Sequence, residues 1–391
     1  MGEILTRPLR DLCTFRHGGT PSKANAGFWE GDIPWVSPKD MKQPVIDSAT
    51  DYISAEAVEN SATSIVPPGS ILLVVRSGIL AHSFPIAQVA KAVAFNQDIK
   101  AVTPISGSVV PDYLYWFLRS QSMNVVTRGV KKGATVHSVQ SGFIESLMVP
   151  LHPREKQHRI VDLLARAEGI VLLRREAQQK AAELIPAMFV DMFGDPATNP
   201  MGWHMSPIEE VCSVQTGATP RKEERRYYEG GTVPWVRTGE VRGRHIVEVE
   251  ERITELAVRE TNCKVFPTNT ILIAMYGQGQ TRGRAGLLKT PAATNQACAA
   301  ILPSDHVNPA YLLEALNLQY ERLRSMARGG NQANLNLGMI KEFEVPCPPI
   351  DAQLRFAERC LAIESILGQQ AEAATKAEAT FNALLARAFG G

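Results

Sequence analysis

The stretch PREKQHRIVDLLARAEGIVLLRREAQQKAAELIPAMFVDMFGD, residues 153 to 195, reads as one long helix, and it occurs twice. Its echo runs from Pro349 to Gly391. Moving the first copy forward by 196 residues superposes apolar positions at alternating spacings of 4 and 3. The pairs are Ile160/Phe356, Leu164/Cys360, Ala167/Ile363, Val171/Leu367, Ala181/Ala377, Ile185/Phe381, Met188/Leu384 and Met192/Ala388. A sustained period of 3.5 is the seam of a coiled coil, in which each helix carries a stripe it cannot bury alone. The nearest partner for each copy is the other. The residues expected to carry the pairing are Ile160, Leu164, Val171, Ile185, Phe356, Ile363, Leu367, Phe381 and Leu384.

Both copies interrupt the seam at one place, Arg174/Gln370, which reads either as a register-fixing polar layer or as a frayed turn. Both begin with proline followed by an acid, Glu155 or Asp351, as the first helical turn favours. Both end on Phe-Gly, at Gly194 and Gly390, where glycine stops a helix. At 1.5 Å per residue each helix spans roughly 60 Å, a spacer's length. Pro186 has Asn382 as its counterpart, so the first helix alone is expected to kink.

The duplication reaches beyond the helices. Cys13-Thr-Phe-Arg-His-Gly-Gly-Thr-Pro21 is echoed by Cys212-Ser-Val-Gln-Thr-Gly-Ala-Thr-Pro220, and Ile33-Pro-Trp-Val36 by Val233-Pro-Trp-Val236. The series continues with Ile71-Leu-Leu73 and Ile271-Leu-Ile273, Asn96-Gln97 and Asn295-Gln296, Pro111-x-Tyr-Leu and Pro309-x-Tyr-Leu, Arg128-Gly and Arg328-Gly, and Val149-Pro and Val345-Pro. A repeat this long exceeds any solenoid unit. The chain reads as residues 1–151, a globular body; 152–195, a long helix; 196–348, a second body; and 349–391, a second long helix. Short β-branched runs over 70–75, 90–95, 271–275 and 297–302 read as strands, and 111–120 and 309–323 as helices, so each body is of the α+β class. Antiparallel pairing of the helices would relate the bodies by a pseudo-two-fold axis, a geometry suited to two half-sites on one duplex. Parallel pairing would lose that symmetry.

At 391 residues the chain exceeds one ordinary core. With 45% hydrophobic and 21% charged residues it has the composition of a folded protein rather than a disordered one. No signal-like N-terminal run or membrane-length apolar stretch is present, which places it in the cytoplasm. The six cysteines form no Cys-x-x-Cys pair and lie near no histidine cluster, arguing against metal or disulfide chemistry. A net charge of +1 names no polyanionic partner by itself.

Over essentially its whole length the chain resembles the specificity subunit of type I restriction–modification enzymes. The resemblance rests on the duplicated order of Gly-x-Thr-Pro, Ile/Val-Pro-Trp-Val, Asn-Gln, Val-Pro with Pro-x-Glu/Asp-x-Gln, and on Met192-Phe-Gly-Asp-Pro196. It implies two target recognition domains separated by two long, paired antiparallel helices. It also implies a non-catalytic reader of double-stranded DNA in which each domain reads half of a split, non-palindromic target and the helices set the gap. Two modification (methyltransferase) subunits would dock on it, joined by restriction/translocase subunits. No cofactor is implied in this chain, S-adenosylmethionine and ATP with magnesium being expected on partners.

Bases are read by Arg or Lys to guanine and by Asn or Gln to adenine, with phosphate contacts supplying most of the affinity. In the first body the candidates are Arg16, Lys23, Lys39, Lys42, Arg76, Arg128, Lys131 and Lys132. In the second they are Arg221, Lys222, Arg237, Arg242, Arg244, Gln278, Gln280, Arg282, Arg284, Arg328, Asn331 and Gln332, with the loop from Gly277 to Arg284 foremost. Family members often carry Gln and Asn before the last strand, as Gln332 and Asn334 do here, where the first body has Val136 and Ser138. Asn96-Gln97 and Asn295-Gln296 are common to both copies, so they read as turn hydrogen bonds, and Trp35 and Trp235 as core.

Three rival readings are weaker. Gly277-x-Gly279-x-x-x-Gly283 is no dinucleotide loop, because no amphipathic helix follows it. A single-chain methylase would need an Asn/Asp-Pro-Pro-Tyr signature, which is absent. A helical scaffold that reads no DNA would tolerate loss of charge in the loops.

Overall fold

The heptad stretch folds as two helical segments, Arg154–Ala182 and Leu184–Phe193, and its echo as one helix, Ile350–Phe389. The break at Glu183 is the kink expected from Pro186. A proline ring collides with the carbonyl four residues earlier, here that of Ala182, where the first segment ends. Asn382 at the matching position leaves the second helix unbroken. The first helix closes at Gly194, whose φ of +76° is strained for other residues.

The computed structural model describes residues 4–277, 279–327 and 334–390. The chain divides into two units, Met1–Arg175 with Ala373–Gly391, and Glu176–Glu372. The first unit takes the start of the first long helix and the end of the second; the second takes the end of the first and the start of the second. Within each unit the helical segments are therefore antiparallel.

The stripe expected as a helix–helix seam is shared with the globular body. In the first unit Leu164, Val171 and Phe381 are buried in one cluster with Tyr113, Trp116 and Phe117 from the helix Pro111–Ser120, with Ile160 and Leu384 half-buried against it. Trp116 meets Phe381 edge-on at 5.8 Å between centroids, and Tyr113 meets Phe389 at 5.1 Å. In the second unit Ile185, Phe189, Phe193 and Phe356 surround Tyr311, with Ile363 partly buried against them. Leu367 is half-buried outside that cluster. Each buried aromatic or aliphatic side chain contributes about 1.5–3 kcal/mol, so the helices are held to the bodies as well as to each other.

Each helix start is tied to its body by a buried glutamine. Gln157 Oε1 accepts the Val110 amide at 3.0 Å and its Nε2 donates to the His152 carbonyl at 2.8 Å. Gln353 does the same with Asn308 and Pro348, both at 2.8 Å. The motif Pro-x-Glu/Asp-x-Gln is the sequence trace of this tie.

The two bodies share one topology. In the first, a five-stranded sheet runs in the order Cys13–His17, Ile99–Pro104, Ile71–Val74, Ile86–Val89, Val45–Ile46, with only the last pair parallel. The second repeats it with Val214–Thr216, Cys298–Ile301, Ile271–Ala274, Ala285–Leu288 and His245–Ile246. A four-stranded sheet, centred on Ile33–Val36 beside Val93–Phe95 or Val233–Val236 beside Ala292–Thr294, also recurs. Of the run expected as one strand over 90–95, Val93–Phe95 is strand and residues 90–92 form the bend that follows Ile86–Val89, and the helix expected over 309–323 breaks at Gln319. The first unit adds a small sheet, Val130–Lys131, His137–Val139 and Arg76–Ser77.

Candidate nucleic-acid interface

The residues common to both copies build the frame. Trp35 Nε1 donates to the Gly19 carbonyl and Trp235 Nε1 to that of Ala218, each at 3.0 Å. Thr20 donates to Gln97 and Thr219 to Gln296, each at 2.5 Å. Asn96 and Asn295 each accept the amide two residues on, closing a turn. A Cβ on Gly18 would lie 2.2 Å from the Phe95 carbonyl oxygen, and one on Gly217 1.8 Å from that of Thr294, so only glycine fits where the turn meets the strand end.

The candidate cations of the first unit are exposed but differ in engagement. Lys39 is paired with Asp51 at 2.8 Å, and that hydrogen bond raises its pKa. Arg16 donates to the Ile65 carbonyl at 3.2 Å. Lys23 lines a shallow recess with Trp29 and Asp51, and Lys42 lies exposed before the strand Val45–Ile46. Arg76, Arg128, Lys131 and Lys132 are exposed, and among the described residues none of them forms an ion pair. The small three-stranded sheet brings distant segments together: Arg76 and Lys131 both lie opposite Ser138, putting all three on one sheet face. Sequence reasoning found the two cations separately and missed Ser138 as the residue between them. His137 Nδ1 accepts the Gly133 amide at 3.2 Å and braces the loop beyond.

In the second unit the arginines separate into structural and exposed sets. Arg237 pairs with Glu250 at 3.0 Å and Glu251 at 2.8 Å. Arg244 pairs with the buried Glu314, and at 3.5 Å with Glu364 of the long helix, which His245 also meets at 3.2 Å. Burial raises the Glu314 pKa against the opposing pull of Arg244. Glu364 is also pushed up by burial, yet His245 and Arg244 hold it below its ordinary value. Arg221 and Lys222 are exposed.

The loop leading to Arg284 is braced. Arg284 donates to Gln280 Oε1 at 2.8 Å and to the Arg242 carbonyl at 3.2 Å, and the Tyr320 hydroxyl donates to the Gln280 carbonyl at 2.8 Å. Arg242 donates through Nε to the Gly239 carbonyl. Arg242, Arg244, Arg284, Asn317 and Tyr320 line one recess of about 340 Å³. Arg282 is half-buried in the same loop. Gln278, Arg328, Asn331 and Gln332 lie outside the described residues. Tyr320 and Asn317 escaped sequence reasoning because they read as helix positions far along the chain.

A duplicated body whose shared residues hold the frame, and whose divergent residues are exposed cations, has the layout of a recognition module rather than of an enzyme's active site. The chain belongs to the family of the type I restriction modification DNA specificity domain, which matches residues 1–181 and again 200–369. It is 37% identical over 184 residues to the specificity subunit of the type I restriction enzyme EcoR124I/EcoR124II of Escherichia coli, a match covering 47% of this chain and 45% of that one. It is 24% identical over 305 residues to the MjaIX specificity subunit of Methanocaldococcus jannaschii, covering 72% and 68%. The chain thus matches under half the length of the first relative and about two thirds of the second. Its fold is that of a chain solved in work on complex assembly and conformational transition of the type I restriction–modification system (TM-score 0.67, 18% identity, 100% of both chains). The S subunit from M. genitalium is also similar (TM-score 0.55, 14% identity, 100% of this chain and 96% of that one). Among the described residues no helix is long and apolar enough to cross a membrane.

Proposed function

We propose that this chain is the DNA-reading specificity subunit of a type I restriction–modification complex, each globular body reading one half of a bipartite, non-palindromic target. The observation that carries the reading is the contrast between the two bodies: one topology and one set of shared hydrogen bonds, but different exposed cations. Two bodies built alike and surfaced differently recognise two different half-sites.

The antiparallel helices set the unread gap between half-sites and dock two methyltransferase subunits, with restriction subunits joining for cleavage. Recognition resides in this cytoplasmic chain and chemistry in the partners, which hold S-adenosylmethionine, ATP and magnesium. The candidate side chains divide accordingly: Arg76, Lys131, Lys132, Arg221, Lys222, Gln280 and Arg284 face DNA, while Arg237 and Arg244 are engaged in ion pairs within the second body.

The test is single-molecule sequencing of adenine methylation in a host expressing the methyltransferase partner with and without this chain. A split motif that appears only with the chain supports the reading. Methylation by a competent partner that is unchanged by deleting the chain favours a scaffold that reads no DNA.

A further inference from the structure

The recess between Arg242 and Arg284 is a site of unspent donors. A guanidinium carries five N–H groups. Among the described residues Arg284 uses two nitrogens, on Gln280 and the Arg242 carbonyl, and Arg242 uses one, on Gly239. Neither forms an ion pair with any described carboxylate, whereas the third arginine of the recess, Arg244, is committed to Glu314 and Glu364. Asn317 and Tyr320 complete the lining, and Tyr320 is itself held by the Gln280 carbonyl and by Arg324 at 2.7 Å. Two cations are thus fixed in place with hydrogen-bonding capacity left over, the arrangement that binds an anion at little ordering cost.

We infer that this recess takes a backbone phosphate of duplex DNA, a positioning contact rather than a base contact. A base reader must extend into a groove and meet a base edge with a bidentate fork. Arg284 and Arg242 are tethered to the body by their own hydrogen bonds, so they receive a phosphate brought to the surface. The recess belongs to the second body alone. The Ala274 amide bonds the Arg284 carbonyl and the matching Val74 amide bonds that of Pro85, so proline stands where Arg284 does. Lys42 stands at the place of Arg242. The inference rests on the DNA-reading function proposed above and assigns one contact within it.

The test measures binding of the complete complex, this chain with its methyltransferase subunits, to a duplex carrying the methylated motif and to an unrelated duplex, over a range of salt. Arg242→Gln together with Arg284→Gln is expected to weaken both duplexes by a common factor. The slope of log affinity against log salt should fall by about 0.9 for each phosphate no longer neutralised, with the methylated motif unchanged. Arg242→Gln alone leaves the loop's bonds to Arg284 intact, because they use the Arg242 main chain, and should lower the slope in the same direction, by no more than about 0.9, even if the double variant misfolds. Restoring charge with Arg242→Lys should recover it. An unchanged slope in the folded single variant, or relaxed methylation at one base pair, overturns the inference while wild-type binding keeps the function standing. Wild-type complex that fails to prefer the motif duplex sinks the function itself. Inorganic phosphate that raises the thermal midpoint of wild type but not of Arg242→Gln, with the DNA slope unchanged, assigns the recess to a free anion and also overturns it.

Discussion

Gln157 holds Val110 by its amide: the side-chain oxygen of the first long helix caps the start of the helix Pro111–Ser120 at 3.0 Å, with the glutamine 3% exposed. That helix has no side-chain cap of its own, since Val110 has none to offer, and Gln157 supplies the missing acceptor from another element. Gln157→Ala should leave the Val110 amide and His152 carbonyl unsatisfied, at about 1–3 kcal/mol for each buried group. Gln353→Ala should cost less, because the Asn308 amide it leaves unsatisfied is only part-buried whereas the Val110 amide is buried. Urea unfolding of the full chain checks the order; equal destabilisation would contradict the cap assignment.

Gly217→Ala and Gly169→Ala should move stability in opposite directions. The added methyl at Gly217 meets the Thr294 backbone oxygen at 1.8 Å, and backbone cannot yield as a flexible side chain does. Overpacking of about 1–3 kcal/mol or more is expected. Gly169 lies inside a helix with nothing within 4 Å of the new atom, so alanine should stabilise by about 0.5–1 kcal/mol. Thermal unfolding of the two variants distinguishes them directly.

How much of the fold and site was legible in the sequence depends on distance along the chain. The 3.5-residue period marked Leu164, Val171 and Phe381 as buried, and Pro186 marked the break, because both signals are local. The period could not say that Trp116 and Tyr113 would cover the same stripe. The ion pairs of Arg237 with Glu250 and of Arg244 with Glu314 could not be read in advance, because Glu250 lies 13 residues on and Glu314 70 residues on. The brace on Gln280 comes from Tyr320, 40 residues further along the chain. Long-range ion pairs and braces leave no periodic trace.

Arg237 and the Lys131–Lys132 pair should therefore respond differently to loss of charge. Arg237→Ala should leave the salt slope of DNA binding unchanged and cost about 0–1 kcal/mol of stability, since its side chain is 40% exposed and its pairs are screened. Lys131→Gln with Lys132→Gln should leave stability unchanged and reduce the slope by about 0.9 for each phosphate released. Binding measured at several salt concentrations, beside a thermal melt, separates the two.

Acid should loosen the second unit at Glu364. Its folded pKa lies below the ordinary glutamate value of 4.5, because His245 and Arg244 outweigh burial. A depressed carboxyl stabilises the fold above the unfolded value and loses that contribution as pH falls through the folded one. Wild type should therefore lose stability below about pH 4.5 more steeply than Glu364→Gln, which has no proton to take up there. Parallel slopes for the two proteins below that pH would show that the ion pair contributes nothing.

Exchanging residues 1–151 for the corresponding body of another family member should change one half-site and leave the other half and the gap intact. The junction is tolerant for a physical reason: Gln157 binds main-chain groups of residues 110 and 152, so the tie survives a change of side chain. Tyr113 adds a 2.7 Å bond to the Pro150 carbonyl, again main chain. The demanding contacts are Trp116 with Phe381 and Tyr113 with Phe389, which pair the exchanged body with the retained second helix. A donor that keeps large aromatics at both positions should fold and methylate a hybrid motif. A donor with a small residue in place of Trp116 leaves a cavity against Phe381, costing about 3–5 kcal/mol, and should recover when the aromatic is restored. Methylome sequencing reads the motif of each hybrid, and a donor with both aromatics that altered both half-sites would contradict independent reading by the two bodies.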